Sequence, residues 1–379
     1  MTDKIYKIAL DARPLSTSIS GVGRLIHETI RSFPTQSRYH FYLYSNRKIH
    51  PEHKKLLEKK NVTWITSKTI LRFKGGLYFN IEAPFAINRL KPDLFWGSQQ
   101  VIPPFLDKNI PVVLTYYDFV LYLFPETMRT IAAFQQKLVQ KMSIKRADRI
   151  ICISEQTKKD LGKLFSYPEK KSSVAYPGID TDRIKKLLKE QKSISVTNLP
   201  KRFLLSVSTI EPRKNYPFLL KAYRAYRKKY HKNHLPWIIA GKIGWESDEF
   251  KEELANEIRH NEDIILFQSP TDSDLHNLYH SCSLFLFASH YEGFGIPLLE
   301  ALAHQKKCLV SNIPTFHEIG GKEIEYLDTK KPEIWADKIN EMVQSRKKTR
   351  IKTENFTWTA ASVKIEKIFS ELIEKKQKK

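Results

Sequence analysis

Residues 284–301 read LFLFASHYEGFGIPLLEA, and this stretch predicts the fold of the second half of the chain. The apolar run 284–288 has the length of a buried strand, and Gly293 and Gly295 then form a loop. Pro297 suits the first turn of a helix, where the missing N–H of proline is not needed. A strand that leads through a glycine-rich loop into a helix indicates parallel strands covered by helices.

The same alternation of strand and helix extends over the whole chain. Seven short apolar strand candidates lie between Ile5 and Tyr176, and six more lie between Phe203 and Leu327, with amphipathic segments between them. We therefore predict the α/β class, with two Rossmann-like, doubly wound parallel-sheet domains that face a cleft. The polar stretch 183–200 marks the seam between them. The predicted domains are residues 1–190 and residues 191–356, and a terminal helix over residues 357–379 is expected to pack back on the first domain.

Composition favours a folded protein of the cytoplasm. The 379 residues are 41% hydrophobic, and no run of 18 apolar residues predicts a membrane-spanning helix. The first residues lead directly into a strand pattern and do not resemble a signal peptide. Cys152, Cys282 and Cys308 lie far apart in apolar runs, which predicts buried thiols and neither a disulfide nor a metal site.

The net charge of +23 is concentrated in the first half of the chain. Such a charge attracts nucleic acid, phosphorylated substrates or anionic lipid, and it also suits a plain solvated surface. In the basic stretch 223–230, three tyrosines fall on one helix face, which indicates a buried aromatic stripe. We therefore do not predict nucleic-acid binding.

Three segments carry residues suited to an anionic, hydroxyl-rich ligand. Glu292 and Glu300 flank the glycine loop, and a carboxylate accepts hydrogen bonds from two neighbouring hydroxyls. Arg213 and Lys214 follow the strand candidate 203–208, where they suit a pyrophosphate, although such a pair also occurs in a solvated loop. The turn 21–24, with glycines at 21 and 23, precedes a helix and suits an anion, but a plain helix-entry turn has the same pattern.

Together these segments resemble the family 4 retaining glycosyltransferases of GT-B fold. The resemblance covers nearly the whole chain, and its specific core is the box from Glu292 to Glu300. The other matching segments are Glu-Pro-Arg-Lys-Asn at 211–215, Ala-Gly-Lys at 240–242, the turn 21–24, Ile-Ser-Glu at 153–155 and Pro-Gly-Ile-Asp at 177–180.

The resemblance implies a role for each matching residue. Arg213 and Lys214 would neutralise the diphosphate of a nucleotide-sugar donor, Glu292 would face the transferred sugar, and Glu300 would hold the ribose. Backbone contacts to the donor are implied for Gly21, Gly23, Gly293, Phe294, Gly295 and Ile296. The family needs no metal, so no metal or other cofactor is expected.

Two positions depart from the family pattern. Tyr117 stands where the family usually has the His of a His-Asp pair that touches the donor sugar, and Asp118 keeps the acidic position. Ser208 stands beside the expected diphosphate, where the family usually has glycine. The identity of the sugar, or the rate, is therefore expected to differ from that of typical members.

The implied activity is transfer of a hexose, with mannose the leading candidate, from a GDP- or UDP-sugar. The acceptor would be lipid-linked or a saccharide in the synthesis of a surface polysaccharide or lipopolysaccharide. Basic residues of the first domain suggest peripheral docking to the anionic inner face of the membrane. They include Lys137, Lys141, Lys145, Arg146, Arg149, Lys158, Lys159, Lys163, Lys170 and Lys171. Two alternatives remain open: a catalytically weak nucleotide-sugar-binding subunit, and a nucleotide-sugar epimerase of the same fold.

Overall fold

The computed structural model describes residues 4–18, 21–34, 37–125, 130–190, 199–345 and 355–378. The chain forms two compact units, each with its own sheet and core. The first unit comprises Met1–Gly178 and Asn355–Lys379, and the second comprises Ile179–Glu354.

The first unit is built on a sheet of seven strands, all parallel. They are β1 (Tyr6–Asp11), β2 (Tyr39–Ser45), β3 (Val62–Thr66), β4 (Leu94–Gly97), β5 (Val112–Tyr116), β6 (Arg149–Cys152) and β7 (Ser172–Val174). Their order in the sheet is β3-β2-β1-β4-β5-β6-β7. The central strands β4 and β5 are buried along their whole length, as expected for a parallel sheet covered on both faces.

The second unit repeats this plan with six parallel strands. They are β8 (Leu204–Val207), β9 (Trp237–Ala240), β10 (Ile264–Phe267), β11 (Leu284–Phe287), β12 (Cys308–Ser311) and β13 (Glu325–Leu327). Their order is β10-β9-β8-β11-β12-β13. The sequence therefore predicted the α/β class and both parallel sheets correctly, because the central strands are short apolar runs that can be recognised locally.

Helices cover the sheets of both units. Those of the first unit are α1 (Gly21–Ser32), α2 (Gly75–Leu77), α3 (Ala83–Leu90), α4 (Val120–Leu123), α5 (Thr130–Arg146) and α6 (Glu155–Phe165). Those of the second are α7 (Thr181–Glu190), α8 (Tyr216–Lys229), α9 (Asp248–His260), α10 (Asp272–Ser281), α11 (Ile296–Ala303), α12 (Pro314–Gly320) and α13 (Pro332–Gln344). The last helix, α14 (Trp358–Gln377), belongs to the first unit. No helix in the described ranges is long and apolar enough to cross a bilayer.

The terminal helix α14 packs into the core of the first unit. Phe369 is fully buried, with its ring 5.8 Å from that of Trp96 in β4. The chain passes close by at Gly178, where a Cβ would lie 2.1 Å from the backbone nitrogen of Trp358. Glycine is therefore the residue that fits where the two stretches of backbone meet.

The boundary between the units lies earlier than the predicted seam. Residues 181–190 form α7, which belongs to the second unit, and Arg183 pairs there with Asp272 of α10 at 3.2 Å. The polar composition of this stretch suggested a linker because an exposed amphipathic helix is also rich in Lys and Asp. Residues 191–198 of the predicted seam lie outside the described ranges.

Candidate active site

The point at which the strand order reverses positions the candidate site of the second unit. The strands β8 and β11 are neighbours in the sheet although the β9 and β10 segments separate them in the sequence. Ligands of doubly wound sheets bind beyond the carboxyl ends of strands at such a reversal. The segment 208–215 follows β8 and the segment 288–295 follows β11, so both predicted motifs lie at this position.

A tight turn fixes the two cations that follow β8. Pro212, Arg213 and Lys214 form a single 3₁₀ turn, and Asn215 ends it in the left-handed region at φ 57°. The backbone carbonyl of Arg213 accepts a hydrogen bond from the N–H of His290 at 2.8 Å. This bond ties the turn after β8 to the loop after β11.

Four charged side chains from the two segments form a compact cluster. Glu292 Oε2 lies 2.6 Å from Arg213 Nη1, and Glu292 Oε1 lies 2.5 Å from Lys214 Nζ. Arg213 Nε also pairs with Glu211 at 2.8 Å. The side chains of Lys214 and Glu292 are only 8% and 6% exposed. Two cations and two carboxylates balance one another in this cluster, which we call the charge cluster: Glu211, Arg213, Lys214 and Glu292.

Ionisation of Glu292 depends on its two cationic neighbours. Burial alone would raise the pKa of this carboxyl, but Arg213 and Lys214 outweigh burial and lower the pKa to about 2. Burial also lowers the pKa of the Lys214 ammonium, and Glu292 opposes that shift. The carboxylate therefore stays charged at neutral pH and holds both cations in place.

Serine and threonine side chains that sequence reasoning missed complete the surroundings of Glu292. Ser289 donates to Oε1 at 2.7 Å, and Thr315 donates to the backbone carbonyl of Glu292 at 2.8 Å. Ser311 in turn donates to the carbonyl of Ser289 at 2.6 Å. Of these three residues, only Ser289 could have been found from the sequence, because it directly follows a strand candidate. Ser311 and Thr315 come from the next strand and helix, and nothing local in the sequence links them to Glu292.

The glycine-rich loop turns into α11 at Gly295. This residue has φ 103°, and a Cβ there would lie 2.9 Å from the Phe316 ring, so only glycine fits without movement. Gly293 and Phe294 are buried, and Ile296 begins the helix. The first turn of α11 thus lies directly after the charge cluster, where its backbone dipole favours an anion.

Glu300 lies within α11 and is held by side chains of α10. Tyr279 donates its hydroxyl proton to Glu300 Oε2 at 3.0 Å. The backbone carbonyl of Glu300 accepts a bond from His304 Nδ1 at 2.7 Å, so this nitrogen carries the proton. His304 Nε2 then accepts from His276 Nδ1 at 2.8 Å, and burial lowers the pKa of His304 to about 4. The neutral histidine pair braces the helix turn that carries Glu300.

The Ser208 hydroxyl is hydrogen-bonded to a side chain of the second unit. Its hydroxyl shares a hydrogen bond with the Tyr216 hydroxyl at 2.8 Å. Across from it, a Cβ at Gly241 would lie 2.0 Å from the carbonyl oxygen of Ser208, so the two backbones touch. Ser208 therefore adds a tyrosine-bound hydroxyl where the related family usually has none.

The remaining predicted residues lie in the first unit. Gly21 and Gly23 begin α1, and a Cβ on Gly21 would meet no atom within 4 Å. Asp118 follows β5 and accepts the N–H of Val120 at 3.2 Å, while the Tyr117 hydroxyl donates to the carbonyl of Ser98 at 2.5 Å. The structure thus brings Arg213, Lys214, Glu292 and the 293–296 turn together within the second unit, and places Gly21, Gly23 and Asp118 beyond strands of the other sheet.

Sequence reasoning also missed a buried carboxylate in the first unit. Asp11 ends β1 and accepts Arg13 Nη2 at 2.7 Å and Gln99 Nε2 at 2.5 Å. Both partners lie at the carboxyl ends of neighbouring strands β1 and β4, where the first sheet reverses its order. Among the residues that the structure describes, no group of three or more His, Cys, Asp or Glu is placed to hold a metal ion.

Lowering the pH is expected to weaken the second unit through Glu292. Its pKa of about 2 in the folded protein lies below its ordinary value of 4.5. The charge cluster therefore contributes fully above about pH 4.5 and loses its contribution, roughly 3 kcal/mol, as the pH falls through about 2. Urea unfolding followed from pH 7 to pH 2.5 measures this loss. A Glu292→Gln variant should lack that part of the pH dependence, and an unchanged pH profile in this variant would contradict the assignment.

Two family models match the chain, one on each half. Residues 19–183 match glycosyltransferase family 4, and residues 189–357 match glycosyl transferases group 1.

Two curated relatives are similar to parts of the chain. The O-antigen chain mannosyltransferase B of Escherichia coli is 26% identical over 240 residues, which are 62% of this chain and 61% of that protein. An N-acetylgalactosamine-N,N'-diacetylbacillosaminyl-diphospho-undecaprenol 4-alpha-N-acetylgalactosaminyltransferase of Campylobacter jejuni is 30% identical over 202 residues, which are 53% of this chain and 50% of that protein. The chain thus spans less than two thirds of the length of these two relatives.

A solved structure shares the fold over nearly the whole chain. HepE of Anabaena, crystallised in complex with UDP, superposes with a TM-score of 0.64 at 17% identity. The superposition covers 97% of this chain and 100% of that one.

Proposed function

Since the chain belongs to the glycosyltransferases that join a family 4 domain to a group 1 domain, we propose that it transfers a hexose from a nucleotide-sugar to a glycan or lipid-linked acceptor. The observation that carries this proposal is the charge cluster, which lies beside the first turn of α11 at the strand-order reversal of the second sheet. A diphosphate needs charged hydrogen-bond donors held in fixed positions and backbone N–H groups, and this position offers both.

The charge cluster is suited to stabilise a leaving diphosphate. As the bond between sugar and phosphate breaks, negative charge grows on the diphosphate, and cations that are already fixed in place stabilise it most. Glu292 fixes Lys214 and Arg213 before any donor arrives, and the Phe287 ring lies 5.1 Å from the Lys214 ammonium. These cations would take the part that a metal ion plays in other transferases, so we propose a metal-independent reaction.

Glu292 is suited to accept a hydrogen bond from one hydroxyl of the transferred sugar. A carboxylate offers about four lone-pair sites. Lys214 and Ser289 donate to Oε1 and Arg213 donates to Oε2, so one site on Oε2 stays available for a sugar hydroxyl. Glu292 would then orient the sugar while it positions the cations. We infer retention of configuration from family membership.

Glu300 is suited to hold the ribose of the donor. Tyr279 fixes one carboxylate oxygen at 3.0 Å, and a carboxylate can accept hydrogen bonds from two neighbouring hydroxyls. We propose a GDP- or UDP-linked hexose as the donor. Mannose is the leading candidate for the sugar because the E. coli relative is named a mannosyltransferase, and UDP is a candidate nucleotide because HepE was crystallised with it. A lipid-linked acceptor at the inner membrane face is proposed because the C. jejuni relative is named for a diphospho-undecaprenol acceptor.

Replacing Gly21 by alanine is expected to lower the transfer rate at least tenfold without loss of stability. The fold does not need glycine there, because a Cβ would meet nothing within 4 Å, and alanine favours helices by up to about 1 kcal/mol. The rate falls if the start of α1 takes part in substrate binding, since small displacements at a reacting centre are costly. Gly162→Ala in α6, where a Cβ also meets nothing within 4 Å, is the matched control. Equal rates for the two variants would count against a substrate contact at Gly21.

The proposal is tested with purified protein and a panel of nucleotide-sugars. Selective binding raises the melting temperature by mass action, and labelled donor then shows transfer to lipid-linked or saccharide acceptors without added metal and with EDTA. Binding without transfer would favour the nucleotide-sugar-binding subunit. Conversion of the donor into its epimer would favour the epimerase, and no shift with any nucleotide-sugar would overturn the proposal.

A further inference from the structure

The segment from Ile70 to Leu90 is helical almost throughout and apolar on two sides. Its inner side carries Tyr78, Ala83 and Ile87, which belong to the core of the first unit. Its outer side carries large apolar side chains three or four residues apart, which we call the outer stripe: Ile70, Phe73, Leu77, Ile81 and Phe85. A helical segment with an apolar row on its solvent side as well as on its core side indicates a second apolar environment.

The outer stripe is far more exposed than a core-facing surface. The exposed fractions of its five side chains are, in chain order, 80%, 64%, 43%, 46% and 65%. Single exposed apolar side chains are ordinary on a protein surface, whereas a connected row of them marks a site of interaction.

A loop connects the outer stripe to a second exposed row on α5. Asn88 of α3 donates to the carbonyl of Phe105 at 2.9 Å, and the N–H of Ile102 donates to Ser143 of α5 at 2.9 Å. The Phe105 side chain between these anchors is itself exposed. On α5 the exposed apolar side chains recur every four residues: Phe134, Leu138 and Met142. Exposed apolar side chains therefore lie on both helical regions and on the loop that is anchored to both.

Cations outnumber carboxylates around this surface, although the loop that carries Phe105 also contains the exposed Asp107. Residues 68–91 contain five cations and one carboxylate, and residues 134–146 of α5 contain four cations and none. The one carboxylate, Glu82, accepts the hydroxyls of Ser67 and Thr69 at 2.6 and 2.7 Å. The nine cations are Lys68, Arg72, Lys74, Arg89, Lys91, Lys137, Lys141, Lys145 and Arg146.

We propose that this face of the first unit inserts its apolar side chains into the surface of an anionic lipid bilayer. The outer stripe, Phe105 and the α5 row would reach the acyl boundary, while the Lys and Arg ammonium and guanidinium groups stay among the headgroups. A second copy of the chain is a poorer occupant, because the cations of both copies would then face one another. The inference rests on the proposed function, which places the acceptor at the membrane, and adds how the protein would bind there. Binding by charge alone is lost at high salt, whereas binding through inserted apolar side chains is not.

Flotation with lipid vesicles tests this prediction. The full chain should bind phosphatidylglycerol–phosphatidylcholine vesicles strongly at about 0.1 M salt and retain measurable binding at about 1 M salt, where charges are screened. The Ile81→Ser/Phe85→Ser double variant should bind at least a hundredfold more weakly at high salt, because burial of such side chains is lost. Ile334→Ser/Val363→Ser removes two similarly exposed apolar side chains elsewhere and should bind like the unchanged protein.

A fluorescent label reports insertion directly. All three native cysteines are buried, so a thiol-reactive, polarity-sensitive dye should label Phe85→Cys or a Val363→Cys control selectively. Vesicles should raise and blue-shift the emission at position 85 and leave that at position 363 unchanged.

Several outcomes overturn the inference. They are loss of all binding at high salt, equal binding by the double variant, or a dimer in gel filtration that the double variant abolishes, since the face would then join two copies. The donor-induced rise in melting temperature should persist in the double variant, which shows that it folds. Vesicle binding without any donor-induced rise would overturn the proposed function and leave the bilayer inference standing.

Discussion

Lys214→Met is expected to destabilise the protein by about 3–5 kcal/mol and to lower the transfer rate by roughly 10²–10³-fold. The stability loss arises because Glu292 stays buried with one of its two cations removed, and its Oε1 keeps only the Ser289 hydroxyl. The rate loss arises because the leaving diphosphate loses a fixed positive charge. Urea unfolding and transfer assays with saturating acceptor measure the two effects.

A second substitution separates these two effects. In Lys214→Met/Glu292→Gln neither partner remains as an unpaired buried charge, so much of the lost stability should return, whereas the rate should stay at least a hundredfold low. Lys221→Met, at an exposed position on α8, is the matched control and should change stability by less than about 0.5 kcal/mol. A Lys214→Met enzyme that keeps its rate within twofold would rule out the proposed role in the charge cluster.

Glu300→Ala is expected to weaken donor binding by at least about a hundredfold and to remove the rise in melting temperature that the donor causes. Hydrogen bonds to a charged carboxylate contribute about 1.5–3 kcal/mol each, and two ribose hydroxyls would lose them. Tyr279→Phe leaves the carboxylate and removes only its 3.0 Å anchor, so its effect should be near tenfold or less. Calorimetric titration with the nucleotide-sugar gives both affinities.

A modified donor tests which group Glu300 contacts. The 2′-deoxy analogue should bind the unchanged protein more weakly than the natural donor and should bind Glu300→Ala with little further loss, because the contact is already gone. Glu333→Ala, at an exposed position on α13, should behave like the unchanged protein. If the unchanged protein bound both donors equally, Glu300 would have no contact to that hydroxyl.

Two helices of the second unit show where local sequence patterns are insufficient. The helix α12 spans only Pro314–Gly320, which is too short for an apolar period to stand out. Residues 181–190 form α7 because they pack on α10 in the second unit, whereas their Lys-rich composition alone resembled a linker. In both cases the deciding contacts come from residues distant in the sequence.

The sequence by itself determined the two parallel α/β sheets and the segments of the candidate site. A short apolar run forms a strand for local reasons, and Pro297 with the glycines before it marks the start of α11 from neighbouring residues alone. The types of residue needed for a diphosphate, above all Arg213 and Lys214, are likewise visible without a structure.

Only the tertiary structure decided how these groups meet. Glu292 reaches Arg213 across 79 positions of sequence because β8 and β11 are adjacent, and the order of strands in a sheet is not encoded in any single strand. The exposure of the outer stripe was decided in the same way, because the sequence shows an apolar helix but not which of its sides the core covers. Pairing and burial are relations between distant segments, and they exist only once the chain has folded.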